Sequence, residues 1–319
     1  MIIAYQINHP FKQIEINESN QHLLNTCLWV DLINPNLVEE LLVEKNLALD
    51  IPSREELREI EISSRLYKEH DVLFMTATMI AQSDSPTPLQ DAVTFILTKR
   101  QLITIRYIEP QAFKLFVSRL PKLQIENPLT CLTELLDATI DRLADILELI
   151  SHQLESYSKN IFVSKTTGSL SYQQLLQQLG VNGELNSKIV ESLVSFSRLI
   201  SFLGQSSNTI TDNNEHVRLV SLSKDLTSLS DHASFLSNKV SFLLEATLGM
   251  VQIEQNAIIK IFSVAAVIFL PPTLIASIYG MNFNFMPELS WKYGYVVAVG
   301  LMLVSSWLPY KYFKYRKWL

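Results

Sequence analysis

The chain has 319 residues, 26 Lys+Arg against 32 Asp+Glu for a formal net charge of −6, 48% hydrophobic residues, 8 Gly and 2 Cys. That length suits one large domain or two ordinary ones. Two cysteines, Cys27 and Cys131, exclude a disulfide framework and a four-thiolate zinc site, and the low glycine content excludes collagen-like or low-complexity character.

The first third mixes helical runs with β-rich ones: MIIAYQI, CLWVDLI, DVLFMTATMI, AVTFILT and QLITIRYI. The opening residues combine neither a basic start nor a long apolar stretch, so no cleaved signal peptide is expected. Ser53 and Glu56 match the S-x-x-E capping box, predicting a charged helix that runs toward His70. Together these runs predict a cytoplasmic α/β domain over 1–125.

From Pro128 to about Phe162 apolar residues recur at helical spacing (Leu132, Leu135, Leu136, Ile140, Leu143, Ile146, Leu147, Ile150), and two further helical stretches are expected around Gly180, Gly183 and Gly204. After the turn TDNNEH, Val217 to Tyr279 has no Pro before 271 and no Gly except Gly249, which predicts one continuous helix of about 90 Å. Such a helix needs lateral partners, either its own antiparallel neighbours or other copies of the chain. A helical stalk over 126–257 follows.

Ile261 to Ile278 and Tyr293 to Tyr310 are each 18 residues without a charge, and at 1.5 Å per residue each covers about 27 Å, close to the hydrocarbon thickness of a bilayer. Trp291, Trp307, Tyr310 and Tyr312 stand where interfacial aromatics belong. The expectation is two transmembrane helices, 258–280 and 292–312, joined by a loop over 281–291 and followed by a basic tail over 313–319. Residues 260–319 hold six cations (Lys260, Lys292, Lys311, Lys314, Arg316, Lys317) against one acid, Glu288. All but Lys292 flank the outer ends of the hairpin, which places both termini in the cytoplasm. The body upstream is correspondingly acidic, which argues against nucleic acid as a partner and favours divalent cations.

Enzymatic constellations are absent: there is no H-E-x-x-H and no G-x-S-x-G, and GVNGELNSK at 180–188 lacks the spacing of a phosphate loop, so neither catalysis nor a nucleotide is expected. The adjacent pairs His70-Asp71, Glu215-His216 and Asp231-His232 point apart on a helix or strand rather than converging on a metal. In the first span, Asn256, Ile259, Ser263, Ala266, Leu270, Thr273 and Ser277 recur at spacings of three and four. Spacing alone fits either a close-packed helix interface or a pore-lining face. Next come Tyr279, Gly280, Met281, Asn282 and Phe283, then Met286, Pro287, Glu288 and Leu289.

Y-G-M-N-F followed by M-P-E-L between two C-terminal spans resembles the CorA family of magnesium transporters, closely over residues 253–292 and in layout over the rest. The resemblance implies a funnel-shaped homopentamer in the inner (plasma) membrane, in contact with lipid, with first spans around a pore and second spans outside them. It implies that Gly280, Met281 and Asn282 form the selectivity filter, Thr273 a second polar ring and Asn256 a ring near the cytoplasmic mouth. Ile259, Phe262 and Leu270 would form the hydrophobic constriction, Ser263, Ala266 and Ser277 would also line the pore, and periodicity leaves open whether Phe262 or Ser263 faces the axis. The implied activity is potential-driven, channel-like influx of Mg²⁺, with Co²⁺ and Ni²⁺ also carried and cytoplasmic Mg²⁺ acting as regulator. Glu288 would attract cations at the entrance, and Asp91, Asp225 and Asp231 are the candidate regulatory ligands. The alternatives are a zinc transporter of the same fold, against which Met281 speaks, and a non-conducting membrane-anchored scaffold.

Overall fold

The computed structural model describes residues 1–7, 11–58, 61–85, 87–163, 170–206, 213–282, 286–316 and 318; the side chains of 62, 213, 288 and 289 are outside the description. Two compact units divide at Leu244 and Glu245.

The first unit is built on a seven-stranded sheet in the order β2-β1-β3-β7-β6-β5-β4. Its strands are β1 (Ile2–Gln6), β2 (Lys12–Ile16), β3 (Trp29–Ile33), β4 (Leu66–Glu69), β5 (Val72–Ala81), β6 (Leu89–Leu97) and β7 (Leu102–Arg106). Every described pairing is antiparallel except β3 with β7. That one parallel pair requires a long crossover, which the chain supplies with everything from α1 (Leu37–Leu47) to β6. Asn36 opens α1 through a reciprocal capping box with Glu39.

Strand alternation divides the core into two layers. Ile2, Ala4, Val30, Leu32, Ile103 and Ile105 face Val43 of α1. On the opposite face Tyr5 stacks on Trp29 with centroids 4.2 Å apart, and Trp29 meets Phe113 and Phe116 of α3 (Gln111–Arg119). The same face holds a buried ion pair. The Arg106 guanidinium donates to Asp31 from Nη2 at 2.9 Å and from Nε at 3.1 Å, and the Thr104 hydroxyl donates to Asp31 at 2.6 Å. Burial pushes the Asp31 carboxyl up and Arg106 pulls it back.

Three long helices complete the unit's described elements: α4 (Pro128–Phe162), α5 (Tyr172–Gln205) and the first part of α6 (Asn213–Tyr279). The Ser192 hydroxyl of α5 donates to the Thr78 carbonyl of β5 at 2.7 Å, and the Thr78 amide donates to Ser195 at 2.9 Å, which joins the helices to the sheet. Along α6, Leu219, Leu222, Leu226, Ala233, Leu236, Val240 and Leu243 are buried at spacings of three, four and seven, the seam of a packed antiparallel helix. Asn186 donates from α5 to the Ala233 carbonyl at 2.9 Å and to Ser237 at 2.7 Å, fixing the register of α5 against α6.

Two expectations need correction. Ser53 and Glu56 do form reciprocal hydrogen bonds, but they open only a 3₁₀ turn, Glu56–Arg58; α2 (Ile62–Arg65) adds a single turn and the chain then enters β4. Pairing wins there because Tyr67 stacks on Phe74 of β5 at 4.7 Å, and His70 turns the hairpin with φ 53°. Gly180, Gly183 and Gly204 do not divide two stretches: all three lie inside the single helix α5, where Gly183 meets α6 so closely that an added Cβ would stand 3.3 Å from Val240 Cγ1.

Asp31→Ala should strand the Arg106 charge inside the sheet and lower unfolding stability by about 3–5 kcal/mol. Denaturant unfolding of the full chain in detergent, followed by near-ultraviolet circular dichroism, measures this; a change under about 1 kcal/mol would contradict the assignment.

Candidate functional site

The second unit contains the membrane-length part of α6 and α7 (Gly294–Tyr315), both apolar and long enough to cross a bilayer. Burial separates the faces of each helix. On α6 the covered positions are Val264, Ala265, Ile268, Pro271, Pro272, Ile275 and Tyr279; on α7 they are Gly294, Ala298, Gly300, Met302, Ser305, Ser306, Pro309 and Phe313. Small residues, Gly294 and Ala298 among them, admit the neighbouring helix closely.

Asn256, Ile259, Ser263, Ala266, Leu270, Thr273 and Ser277 are all exposed in the single chain. At about 100° per residue these seven fall within about 60° of one line along α6, and Val264, Ile268, Ile275 and Tyr279 fall roughly opposite. The polar and small stripe is therefore not the surface that α7 covers. Ser263 lies about 40° to one side of that line and Phe262 about 60° to the other, so the serine is the more central and both flank it. Ile259 is 61% exposed, Phe262 71% and Leu270 65%, an apolar surface too large to face water.

Pro271 and Pro272 lie inside α6. Proline has no N–H, so the carbonyls of Val267 and Ile268 lose their i+4 donors. A helix in hydrocarbon must compensate for this locally or through water and neighbouring helices. At the next residue, the Thr273 hydroxyl donates to the Phe269 carbonyl at 2.7 Å, committing its proton to the backbone and leaving its oxygen as an acceptor on the stripe. The sequence displays both prolines, but the orphaned carbonyls only gain significance once α6 is known to continue through them.

Helix α6 ends in a tightening turn: the Gly280 amide donates to Ala276 at 3.0 Å and to Ser277 at 3.2 Å, and the Met281 amide donates to Ile278 at 3.2 Å. Met281 and Asn282 are exposed, and among the described residues none hydrogen-bonds the Asn282 carboxamide. Gly280 has φ outside the left-handed region; an alanine Cβ there would meet the Ala276 carbonyl at 3.2 Å. Glycine here supplies room, not an unusual backbone angle. Glu288 lies in the 3₁₀ turn Pro287–Ser290, and its side chain, like residues 283–285, lies outside the description.

At the other end of the span, Lys260 Nζ stands 5.7 Å from the Trp318 ring, which stacks on Phe313 at 5.6 Å. This contact joins the chain's last residues to the start of the stripe, and sequence spacing gave no sign of it.

The candidate regulatory acids do not converge. Asp91 on β6 is 15% exposed and sits 3.8 Å from Arg54, whereas Asp225 and Asp231 are exposed on α6. Among the described residues no group of three or more His, Cys, Asp or Glu side chains is placed to hold a metal within one chain. Asp225 does belong to an acidic neighbourhood: burial, Asp141, Glu134 and Asp225 all push the Asp137 carboxyl up against the pull of Arg218.

A family model described as CorA-like Mg²⁺ transporter protein matches residues 25–316. The chain is 36% identical over 321 residues to the "Magnesium transport protein CorA" of Pasteurella multocida (strain Pm70), and equally to that of Haemophilus influenzae (strain Rd), covering 100% of both sequences in each case. Among solved structures it resembles the complete CorA magnesium transporter from Methanocaldococcus jannaschii, with a TM-score of 0.78 at 18% identity, covering 100% of this chain and 99% of that one.

If Gly280 supplies only room, Gly280→Ala should cost less than about 1 kcal/mol, because a shift of a few tenths of an ångström relieves the contact. Thermal unfolding in detergent should then shift by no more than a few degrees; loss of the folded protein would show that the position needs glycine's backbone freedom.

Proposed function

The chain belongs to the CorA-like Mg²⁺ transporter family, and from that premise we infer that it carries Mg²⁺ inward across the plasma membrane through an axial pathway formed by the α6 stripes of several copies. The supporting observation is that the stripe from Asn256 to Ser277 is exposed on the face of α6 opposite its α7-packed side. A homopentamer with α6 innermost gives that face a water-filled axis and leaves the outer surface of α7 to lipid. Large exposed side chains such as Ile259, Phe262 and Leu270 then form the constriction that interrupts the water column when the pathway is closed.

Mg²⁺ gives up its inner water reluctantly, so a filter that stripped it would be slow. The exposed Asn282 carboxamide and the backbone around Gly280, repeated around the axis, offer neutral oxygens that hydrogen-bond the waters of the hydrated ion and select for hydrated size and charge. Thr273 presents the next acceptor oxygen inward, and Asn256 marks the cytoplasmic mouth. Met281 shapes the filter turn, Ser263, Ala266 and Ser277 line the wall, and Glu288 raises cation concentration at the entrance. Co²⁺ and Ni²⁺, with similar hydrates, share the route.

Lys260 before the first span and Lys311, Lys314, Arg316 and Lys317 after the second support an orientation with both termini in the cytoplasm and the signature turn outside. No ATP is needed, since a divalent ion gains about 4.6 kcal/mol on moving inward across 100 mV, twice the value for a single charge. Such a gradient requires a closing signal. Mg²⁺ held between copies by acids such as Asp91, Asp225 and Asp231 supplies it, consistent with the lack of a ready-made metal cluster within one chain among the described residues.

Asn282→Ala should leave expression and assembly mass unchanged and reduce potential-driven Mg²⁺ entry into proteoliposomes by at least about tenfold, the loss of roughly 1.4 kcal/mol of barrier stabilisation. Undiminished entry would refute the filter. Zn²⁺ entry driven by a proton gradient, with no Mg²⁺ entry, would instead favour the zinc reading.

A further inference from the structure

A groove on the flank of the hairpin serves neither the stripe nor the signature turn. It has a volume of 490 Å³ and is lined by Ile268 of α6 and by Leu303, Val304, Ser306, Trp307 and Tyr310 of α7. Its walls are mostly apolar, as a hydrocarbon chain would require. At its mouth Lys311 Nζ stands 4.8 Å from the Trp307 ring.

The order of residues along α7 is informative. Val304, Trp307, Lys311 and Lys314 recur at spacings of three and four on one exposed face, so the surface passes from aliphatic to aromatic to cationic toward the C-terminus. A phospholipid presents the matching sequence: acyl chain, interfacial ester region, then phosphate. The chain has no Asp or Glu after Glu288, and neither lysine forms an ion pair with another described residue. An anion from outside the protein is therefore the natural complement to this paired charge.

We propose that the groove binds an anionic phospholipid, with one acyl chain against Ile268, Leu303 and Val304 and the phosphate on Lys311 and Lys314. Assigning that lipid to the cytoplasmic leaflet rests on the orientation given above; the binding itself does not. Near an anionic surface each lysine contributes about 1 kcal/mol, a preference of about fivefold per lysine for anionic over zwitterionic lipid. Tyr310 and Trp307, at the junction of the two regions, set the depth at which the headgroup lies.

The test uses the full chain with Trp291→Phe and Trp318→Phe, leaving Trp307 as the membrane-facing fluorophore and Trp29 buried in the sheet. The protein is reconstituted in mixed phosphatidylglycerol and phosphatidylcholine vesicles in which one lipid at a time carries brominated acyl chains at equal mole fraction. Brominated phosphatidylglycerol should quench Trp307 several-fold more effectively than brominated phosphatidylcholine, and Lys311→Gln with Lys314→Gln should abolish the difference while the circular dichroism spectrum is retained. Equal quenching by the two lipids would overturn the proposal, as would a preference that survives loss of both lysines. Absence of quenching by either lipid would also overturn it, by showing that another copy of the chain covers the groove. None of these readouts depends on ion flux, so failure here is distinguishable from failure of the transport reading.

Discussion

The structure depends on one helix satisfying two different neighbours along its membrane-length part. One face of α6 packs on α7 through Val264, Ile268, Ile275 and Tyr279; the other carries Asn256, Ser263, Thr273 and Ser277 among apolar residues and is exposed in the single chain. Polar groups in hydrocarbon are costly when unsatisfied. A hairpin alone in lipid would expose those groups for no gain, whereas copies arranged around an axis would place them against water. The proposed oligomer, pathway and filter all rest on that asymmetry.

The first unit gives the same helix a rigid origin. Leu219 to Leu243 lock one side of α6 against its neighbours, and Asn186 and Ser192 tie that packing to the sheet through α5. Because α6 is a continuous helix from Asn213 to Tyr279, ion binding to acids on its first part would act on the same element that carries the proposed pathway. Pro271 and Pro272, where intrahelical hydrogen bonds are missing, are the natural place for such a change to be absorbed as bending.

Much of this was legible in the sequence because the strongest patterns are periodic. β5 and β7 are nearly continuous apolar runs buried on both faces, and the uncharged spans admit few other readings. β2 and β4 were missed because KQIEI and LYKE are short and half polar, as edge strands are. The Ser53 and Glu56 capping box forms but is overridden within one turn by pairing between β4 and β5, a contact of tertiary origin. The stripe could be written down from spacing, but which face of α6 is covered within the chain could not: the structure puts the covered positions, Val264, Ile268, Ile275 and Tyr279, opposite the stripe. Asp91 illustrates the limit, since its partner Arg54 is remote in sequence and no pattern pairs them.

The most direct measurement is a cysteine scan of α6 in full-length protein whose buried Cys27 and Cys131 have been replaced. Single cysteines at Ser263, Ala266, Leu270, Thr273 and Ser277 should react with a membrane-impermeant, water-soluble thiol reagent and block Mg²⁺ entry into proteoliposomes, while those at Val264, Ile268 and Ile275 should remain unreactive and conducting. The reverse pattern, or reactivity independent of helical face, would contradict the assignment of the stripe to the ion pathway.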